Sequence, residues 1–258
     1  MQPMSLEYSF SNSTAYYTRE QLDLLEVVPK HVAIIMDGNR RWARKQSLSK
    51  VMNLQDGHWQ GAEVLTNIVE ASLELGVSYL TAFGFSTENW NRSPQEVKTI
   101  MEVIVRYLKS KRQKMADEGV KIGLIGDLSP FNQEIREELG KTVEATKEGT
   151  NLTLTLALNY GARDELRRAT IAMAQDYKDG KIAEISEQLL ARYLDTGHLP
   201  DPDFLIRTSG EMRVSNFLLW QIAYTEVYIT ERLWPDFTPR DLYDALFEFQ
   251  KRERRIGQ

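Results

Sequence analysis

The stretch His31-Val32-Ala33-Ile34-Ile35-Met36-Asp37-Gly38-Asn39-Arg40-Arg41-Trp42 changes character at one point. After the leading histidine it is apolar and largely β-branched up to Met36, as expected of a strand buried on both faces of a parallel sheet. An acid, a glycine and two arginines then follow at once. In open parallel sheets ligands bind beyond the carboxyl ends of the strands, so the first polar residues after such a run are candidates for a site. Gly38 permits close backbone approach, the amides of a helix start can face an anion, and guanidinium forks match phosphate oxygens. Asp37 beside that anion would be repelled unless a cation lay between them. Mg²⁺ binds one or two carboxylates while substrate phosphates complete its shell. The stretch therefore reads as a diphosphate cradle with Asp37 as a metal ligand. The plainer alternative is a turn in which Asp37 caps a helix and the arginines are solvated.

Working outward, apolar runs of strand length recur at 79–85, 121–126, 152–158, 204–207 and 226–229, giving six with 31–36. Helical periods lie between them. The clearest is 94–115, where Val97, Ile100, Met101, Ile104, Val105 and Leu108 make one stripe. Ser93 can cap it, Pro94 suits its first turn, and Glu96 completes a Ser-x-x-Glu box. Thr238-Pro239-Arg240-Asp241 opens a terminal helix with Leu242, Ala245, Leu246 and Phe249 on one face. This alternation, without repeats or a linker, predicts an α/β single domain: a mostly parallel six-stranded sheet flanked by helices on both faces. Residues 1–28 read as an N-terminal arm, partly flexible, and 29–258 as the catalytic domain.

Composition narrows the function. A net charge of −5 argues against a nucleic-acid binder that neutralises many phosphates. The absence of cysteine removes disulfides and thiolate chemistry and fits a reducing, cytoplasmic setting. Neither a signal peptide nor an apolar run of spanning length is present, so membrane contact is expected to be peripheral.

Three further junctions carry polar groups directly after, or at the start of, an apolar run. Ser86-Thr87-Glu88-Asn89-Trp90-Asn91-Arg92 is richer in hydroxyls, amides and charge than a connector needs, although a loop that pins Trp90 into the core would also fit. Arg207-Thr208-Ser209-Gly210-Glu211-Met212-Arg213-Val214-Ser215-Asn216 offers a second anion site, or a solvated loop whose arginines pair with Glu211. Glu226, opening the last run, either faces the crevice with Asp37 or is a surface acid. Of His31, His58 and His198, only His58, in Gly57-His58-Trp59-Gln60-Gly61, has a suggestive setting; a structural role is its default.

Asp-Gly-Asn-Arg-Arg-Trp at 37–42, Ser-Thr-Glu-Asn-Trp-Asn-Arg at 86–92, Asn159-Tyr160-Gly161 and Arg-Thr-Ser-Gly-Glu at 207–211 together resemble the cis-prenyltransferase (undecaprenyl diphosphate synthase) family. Ile125-Gly126-Asp127, the segment 216–221 and Trp234-Pro235-Asp236-Phe237 extend the likeness from about 31 to 257, in family order. The resemblance implies an apolar product tunnel and condensation of isopentenyl diphosphate onto an allylic diphosphate primer, farnesyl diphosphate being the expected one. The product would be a long polyprenyl diphosphate such as undecaprenyl diphosphate, precursor of a glycosyl carrier lipid. It also implies Mg²⁺ held by Asp37 and Glu226, and a homodimer. Gly38, Asn39, Arg40, Arg41, Trp42 and His58 would surround the primer diphosphate, with Ser86, Thr87, Glu88 and Trp90 as further contacts. Asn89 would assist proton removal, with Arg92 nearby. Arg207, Arg213, Val214 and Ser215 would hold isopentenyl diphosphate, and Arg255 and Gly257 would reach the neighbouring subunit's site. Two departures stand out: only Lys50 offers a cation where relatives often have an arginine before the Gly-His pair, and Met212 stands where relatives can carry histidine.

Two rivals remain at this stage. One is a non-catalytic partner subunit of such an enzyme, which intact Asp37, Asn89 and Arg207 argue against. The other is a phosphohydrolase with Asp37 as nucleophile, weakened by the lack of a second acid at Asn39.

Overall fold

The computed structural model of the protein describes residues 16–47 and 54–253. All six apolar runs form strands: β1 (His31–Ile35), β2 (Tyr79–Ser86), β3 (Val120–Ile125), β4 (Leu152–Tyr160), β5 (Phe204–Arg207) and β6 (Glu226–Ile229). They build one sheet in the order β3-β4-β2-β1-β5-β6, with every neighbouring pair parallel. All five residues of β1 are buried, which is why its sequence does not alternate. Val32 and Ile34 enter one core cluster, Ala33 and Ile35 the other, as the two-residue period of a strand requires.

The helices are α1 (Arg19–Asp23), α2 (Asn39–Ser47), α3 (Leu54–Glu74), α4 (Pro94–Asp117), α5 (Gln133–Thr146), α6 (Ala162–Lys178), α7 (Glu187–Tyr193) and α8 (Pro239–Gln250). The larger core packs α3, α4, α5 and α8 onto one face, through Ile68, Leu108, Leu139 and Leu246 among others. The smaller core sets Ala162 of α6 with Phe217 and Leu218 against the opposite face. Both expected helical faces are found: Ile100, Met101 and Leu108 are buried on α4, and Leu242, Ala245, Leu246 and Phe249 on α8.

The described part of the N-terminal arm docks on α8. The Tyr17 hydroxyl donates to Pro239 O, the Tyr243 hydroxyl donates to Gln21 O at 2.7 Å, and the two rings lie 5.3 Å apart. Among the described residues no helix is long and apolar enough to cross a membrane.

Sheet order positions the site. From β1 the chain builds outward through β2 to β4 and β3, then returns to the other side of β1 with β5 and β6. The connections thus part at the carboxyl end of β1, the place where open α/β sheets leave a crevice. Asp37, the turn 87–92 and the loop 208–216 follow β1, β2 and β5, the three strands that border it.

Candidate active site

Asp37 is fixed through its backbone first. Its carbonyl accepts from the Thr208 hydroxyl at 2.6 Å and the Trp234 amide at 3.0 Å. Its carboxylate accepts from Arg207 Nη2 at 2.8 Å, with Arg41 Nη2 at 3.5 Å. Arg207 is 4% exposed, and its other amino group donates to Ser215 Oγ at 2.8 Å and to Arg213 O. Arg41 donates to Ser209 through both its carbonyl, at 3.0 Å, and its hydroxyl. Burial pushes the Asp37 carboxyl up, but Arg207, with Ser209 and Arg41, outweighs it and holds the group below its ordinary value.

Arg40 and Arg41 lie in the first turn of α2, which contains no acid. A helix start carries orphan amides and a partial positive charge, so two arginines there are unfavourable unless an anion is drawn to the same spot.

A second cluster gathers on Glu96, whose side chain is 6% exposed. Arg92 donates to it at 2.8 Å, Arg40 stands at 3.5 Å and His58 at 3.8 Å, the last too long for a hydrogen bond. Only half of the expected capping box therefore forms: Ser93 Oγ accepts from the Glu96 amide at 3.3 Å, while the carboxylate turns to the cations instead of the Ser93 backbone. Charge-assisted contacts are the stronger attraction. Burial, then Arg92, push the His58 pKa down to about 4, so it is neutral at pH 7.

The turn 87–91 is a short 3₁₀ helix, closed by Asn89 Oδ1 accepting from the Ser86 amide at 3.1 Å. Thr87 Oγ1 donates to Glu88 at 3.2 Å. Trp90 is not pinned into the core: it is 39% exposed, edge-on to Phe85, and donates through Nε1 to Asn159 at 2.7 Å.

Some expected contacts stand apart. Trp42 is buried and spends its indole N–H on Asp236 at 2.7 Å, tying α2 to the turn at 234–236. Arg213 reaches outward to Glu211 at 2.6 Å, and Val214 packs against the smaller core. Glu226 does not join Asp37 within the chain. It is registered with Phe204, itself opposite Val32, and so lies at the amino end of the sheet. Asp37 is five residues further along, roughly 16 Å at about 3.3 Å per residue. The Glu226 carboxylate pairs there with Arg252 at 2.8 Å. Lys50, Arg255 and Gly257 lie outside the described residues, and Met212 is 86% exposed.

An apolar cavity of about 80 Å³ opens from this crevice between α3, α4 and the sheet, lined by Met36, Leu65, Ile100, Ile104, Leu156 and Leu158. Asn39 and His58 sit on its wall, and Asn39 Oδ1 and His58 Nε2 are buried without a partner. Buried polar atoms are seldom left unpaired except where a ligand or water is to be met.

Residues 35–257 match the prenyltransferase family model described as "Putative undecaprenyl diphosphate synthase". The chain belongs to this family. An isoprenyl transferase of Chlamydia trachomatis is 47% identical over 97% of this chain and 100% of its own length. The crystal structure of lavandulyl diphosphate synthase from Lavandula x intermedia, in complex with dimethylallyl diphosphate, matches with a TM-score of 0.86 at 33% identity, covering 90% of this chain and 100% of that one. A probable undecaprenyl diphosphate synthase from Campylobacter jejuni matches with a TM-score of 0.74 at 35% identity, covering 89% and 99%. The sequence expectation of a prenyltransferase that elongates chains in cis therefore stands, as does the six-stranded fold of the family.

Sequence reading missed Glu96 as the hub of three basic side chains, because its place in a capping box explained it too readily. Thr208, Ser209 and Asn216 lay in the loop that the sequence singled out, but not with the roles seen here, as supports of Asp37 and Arg41 and as the partner of Glu88.

Proposed function

We propose that the protein adds isopentenyl diphosphate units to an allylic primer, farnesyl diphosphate, and makes a long polyprenyl diphosphate such as undecaprenyl diphosphate. The observation that carries this reading is the first turn of α2, where Arg40, Arg41 and acid-free helix amides meet Asp37 at the mouth of an apolar cavity. A diphosphate would lie on that turn and its prenyl tail in the cavity, the start of a product tunnel. Residues 29–258 form the catalytic domain in this reading.

Mg²⁺ fits Asp37, because a hard cation can take one carboxylate and complete its shell with diphosphate oxygens. Among the described residues no set of three or more His, Cys, Asp or Glu converges as a metal site. Glu226 does not fit as a second ligand from the same chain. When bound, the cation supplies neutralisation of the diphosphate's developing charge.

The chain's own residues do the remainder. As the primer's allylic C–O bond breaks, Arg41 and the α2 amides stabilise the leaving diphosphate more than the intact primer. Arg207 and Ser215, joined by Arg213 once it turns from Glu211, hold isopentenyl diphosphate so that its double bond attacks the allylic carbon, and loss of one proton from the adjoining carbon yields the new alkene. Asn89 orients this proton transfer, and the diphosphate released from the primer takes the proton, since a neutral amide is too weak a base to do so. His58, being neutral, acts as a hydrogen-bond partner and not as a cation.

We further propose a cytoplasmic homodimer that meets the membrane only peripherally, at product release. Exposed Tyr224, just before the edge strand β6, and exposed Val227 within it support the dimer.

The test is incorporation of radiolabelled isopentenyl diphosphate with farnesyl diphosphate and Mg²⁺, products resolved by length. A ladder made by the wild type and lost in Asp37→Ala is expected, and a chelator should abolish it. No incorporation with any allylic primer would overturn the reading in favour of a non-catalytic partner subunit.

A further inference from the structure

Three segments meet at Gly161. A Cβ there would lie 2.5 Å from Thr87 Oγ1 and 2.7 Å from Asn216 Nδ2, so only a residue without a side chain leaves room for both. Gly161 also cannot cap α6 with a side chain. Asn216 takes over that task from 55 residues away in the chain: its carbonyl accepts from the Ala162 amide at 2.8 Å and its Oδ1 from the Arg163 amide at 3.0 Å. The other end of the same amide, Nδ2, donates to Glu88 Oε1 at 2.9 Å. Asn216 adopts a φ of +62° to do this, a conformation that asparagine and aspartate tolerate best among residues with a side chain. Burial raises the Glu88 carboxyl, but the Asn216 contact leads the hydrogen bonds that bring it below its ordinary value.

Asn216 directly follows Ser215, whose hydroxyl engages Arg207, and Glu88 directly precedes Asn89. We propose that Asn216 is a positioning residue that fixes the loop 208–216 against the turn 87–91 and so sets the distance between the two diphosphate subsites. This rests on the proposed function. Each subsite keeps its own arginines without Asn216, so binding of either diphosphate alone depends little on it. The reaction between the two ligands depends on it strongly, because misplacing reacting atoms by about 1 Å costs on the order of 10²-fold in rate.

The decisive variant is Asn216→Asp. It keeps the acceptor that caps α6 and suits the positive φ, yet places a second carboxylate against Glu88. A cap with no other role would leave this variant close to wild type in melting temperature and in rate. We expect an unchanged melting temperature and affinities for isopentenyl diphosphate and for a non-cleavable farnesyl thiodiphosphate within about threefold of wild type, with single-turnover condensation slower by about tenfold or more. The double variant E88Q/N216D restores a donor and an acceptor with their roles exchanged and should run faster than N216D alone. A wild-type rate in N216D, a rate loss matched by equal loss of affinity or by a lower melting temperature, or no recovery in the double variant would each overturn the positioning role. Failure of the wild type itself to condense the substrates would sink the proposed function instead.

Discussion

Arg207 Nη2 stands 2.8 Å from Asp37 Oδ2, joining the carboxyl ends of β1 and β5 through a guanidinium that is almost wholly buried. Removing the acid leaves that charge with only the Ser215 hydroxyl and the Arg213 carbonyl as acceptors. Breaking a buried pair on one side costs about 3 kcal/mol or more, whereas removing both members costs less. Asp37→Ala should therefore lower stability in urea titrations more than the double variant Asp37→Ala/Arg207→Met, while both lose condensation activity by about 10²-fold or more. Equal stability losses would show that the pair is not coupled.

Gly38 adopts a φ of +115°, and a Cβ there would stand 3.1 Å from Leu233. Gly38→Ala should cost about 1–2 kcal/mol through the disfavoured backbone conformation. It should also lower kcat/KM, since the same residue starts α2. A melting temperature and kcat/KM both equal to wild type would contradict this.

His31 is buried, with Nδ1 2.7 Å from Pro200 O and Nε2 2.8 Å from Thr81 Oγ1. The carbonyl accepts, so Nδ1 carries the proton and the Thr81 hydroxyl donates to Nε2. Burial pushes the pKa down to about 4 from 6.5. The folded state thus disfavours the protonated ring, so its full stability holds above pH 6.5 and is lost as pH falls towards about 4. The loss is on the order of 3 kcal/mol, with a further share from His58 in the same window. Melting temperatures between pH 7 and 4.5 should fall less steeply in His31→Gln than in wild type; identical slopes would refute this.

In the proposed function, product tails would bind by burial. At about 0.8 kcal/mol per CH₂, each five-carbon unit adds up to about 4 kcal/mol, so long products should leave slowly. Steady-state turnover should then lag behind single-turnover condensation and rise with a mild detergent. Equal rates in the two regimes would count against release as the slow step.

The six strands were legible because a parallel sheet covered on both faces favours nearly continuous apolar runs, and 32–36 shows one plainly, while 152–158 keeps the character with only Thr153 and Thr155 between its apolar residues. Asp37, Arg41, Arg207 and Ser215, which the structure brings to one crevice, could be grouped in advance because each ends or follows such a run. Of the two readings of Glu226, the structure favours a place away from Asp37 within the chain for the complementary reason: it opens its run, and the amino end of a parallel strand faces away from the crevice. The contacts of Glu96 and Asn216 were hidden by a different limit, since both act through partners 38 or more residues distant, Arg40 and His58 for one, Glu88 and Arg163 for the other. Local spacing carries no trace of such pairs.

The crevice lies where the sheet order reverses, between strands that come from the first and the last thirds of the chain. Asp37 leaves the ribosome early, but Arg207 and Ser215 follow only when most of the protein has been made. On the proposed assignment of the two subsites, a nascent chain would hold the primer's half of the machinery long before it could hold the second substrate. It therefore has no means of starting a polymer that it cannot finish, and fragments ending before β5 should be inert as catalysts even where they fold.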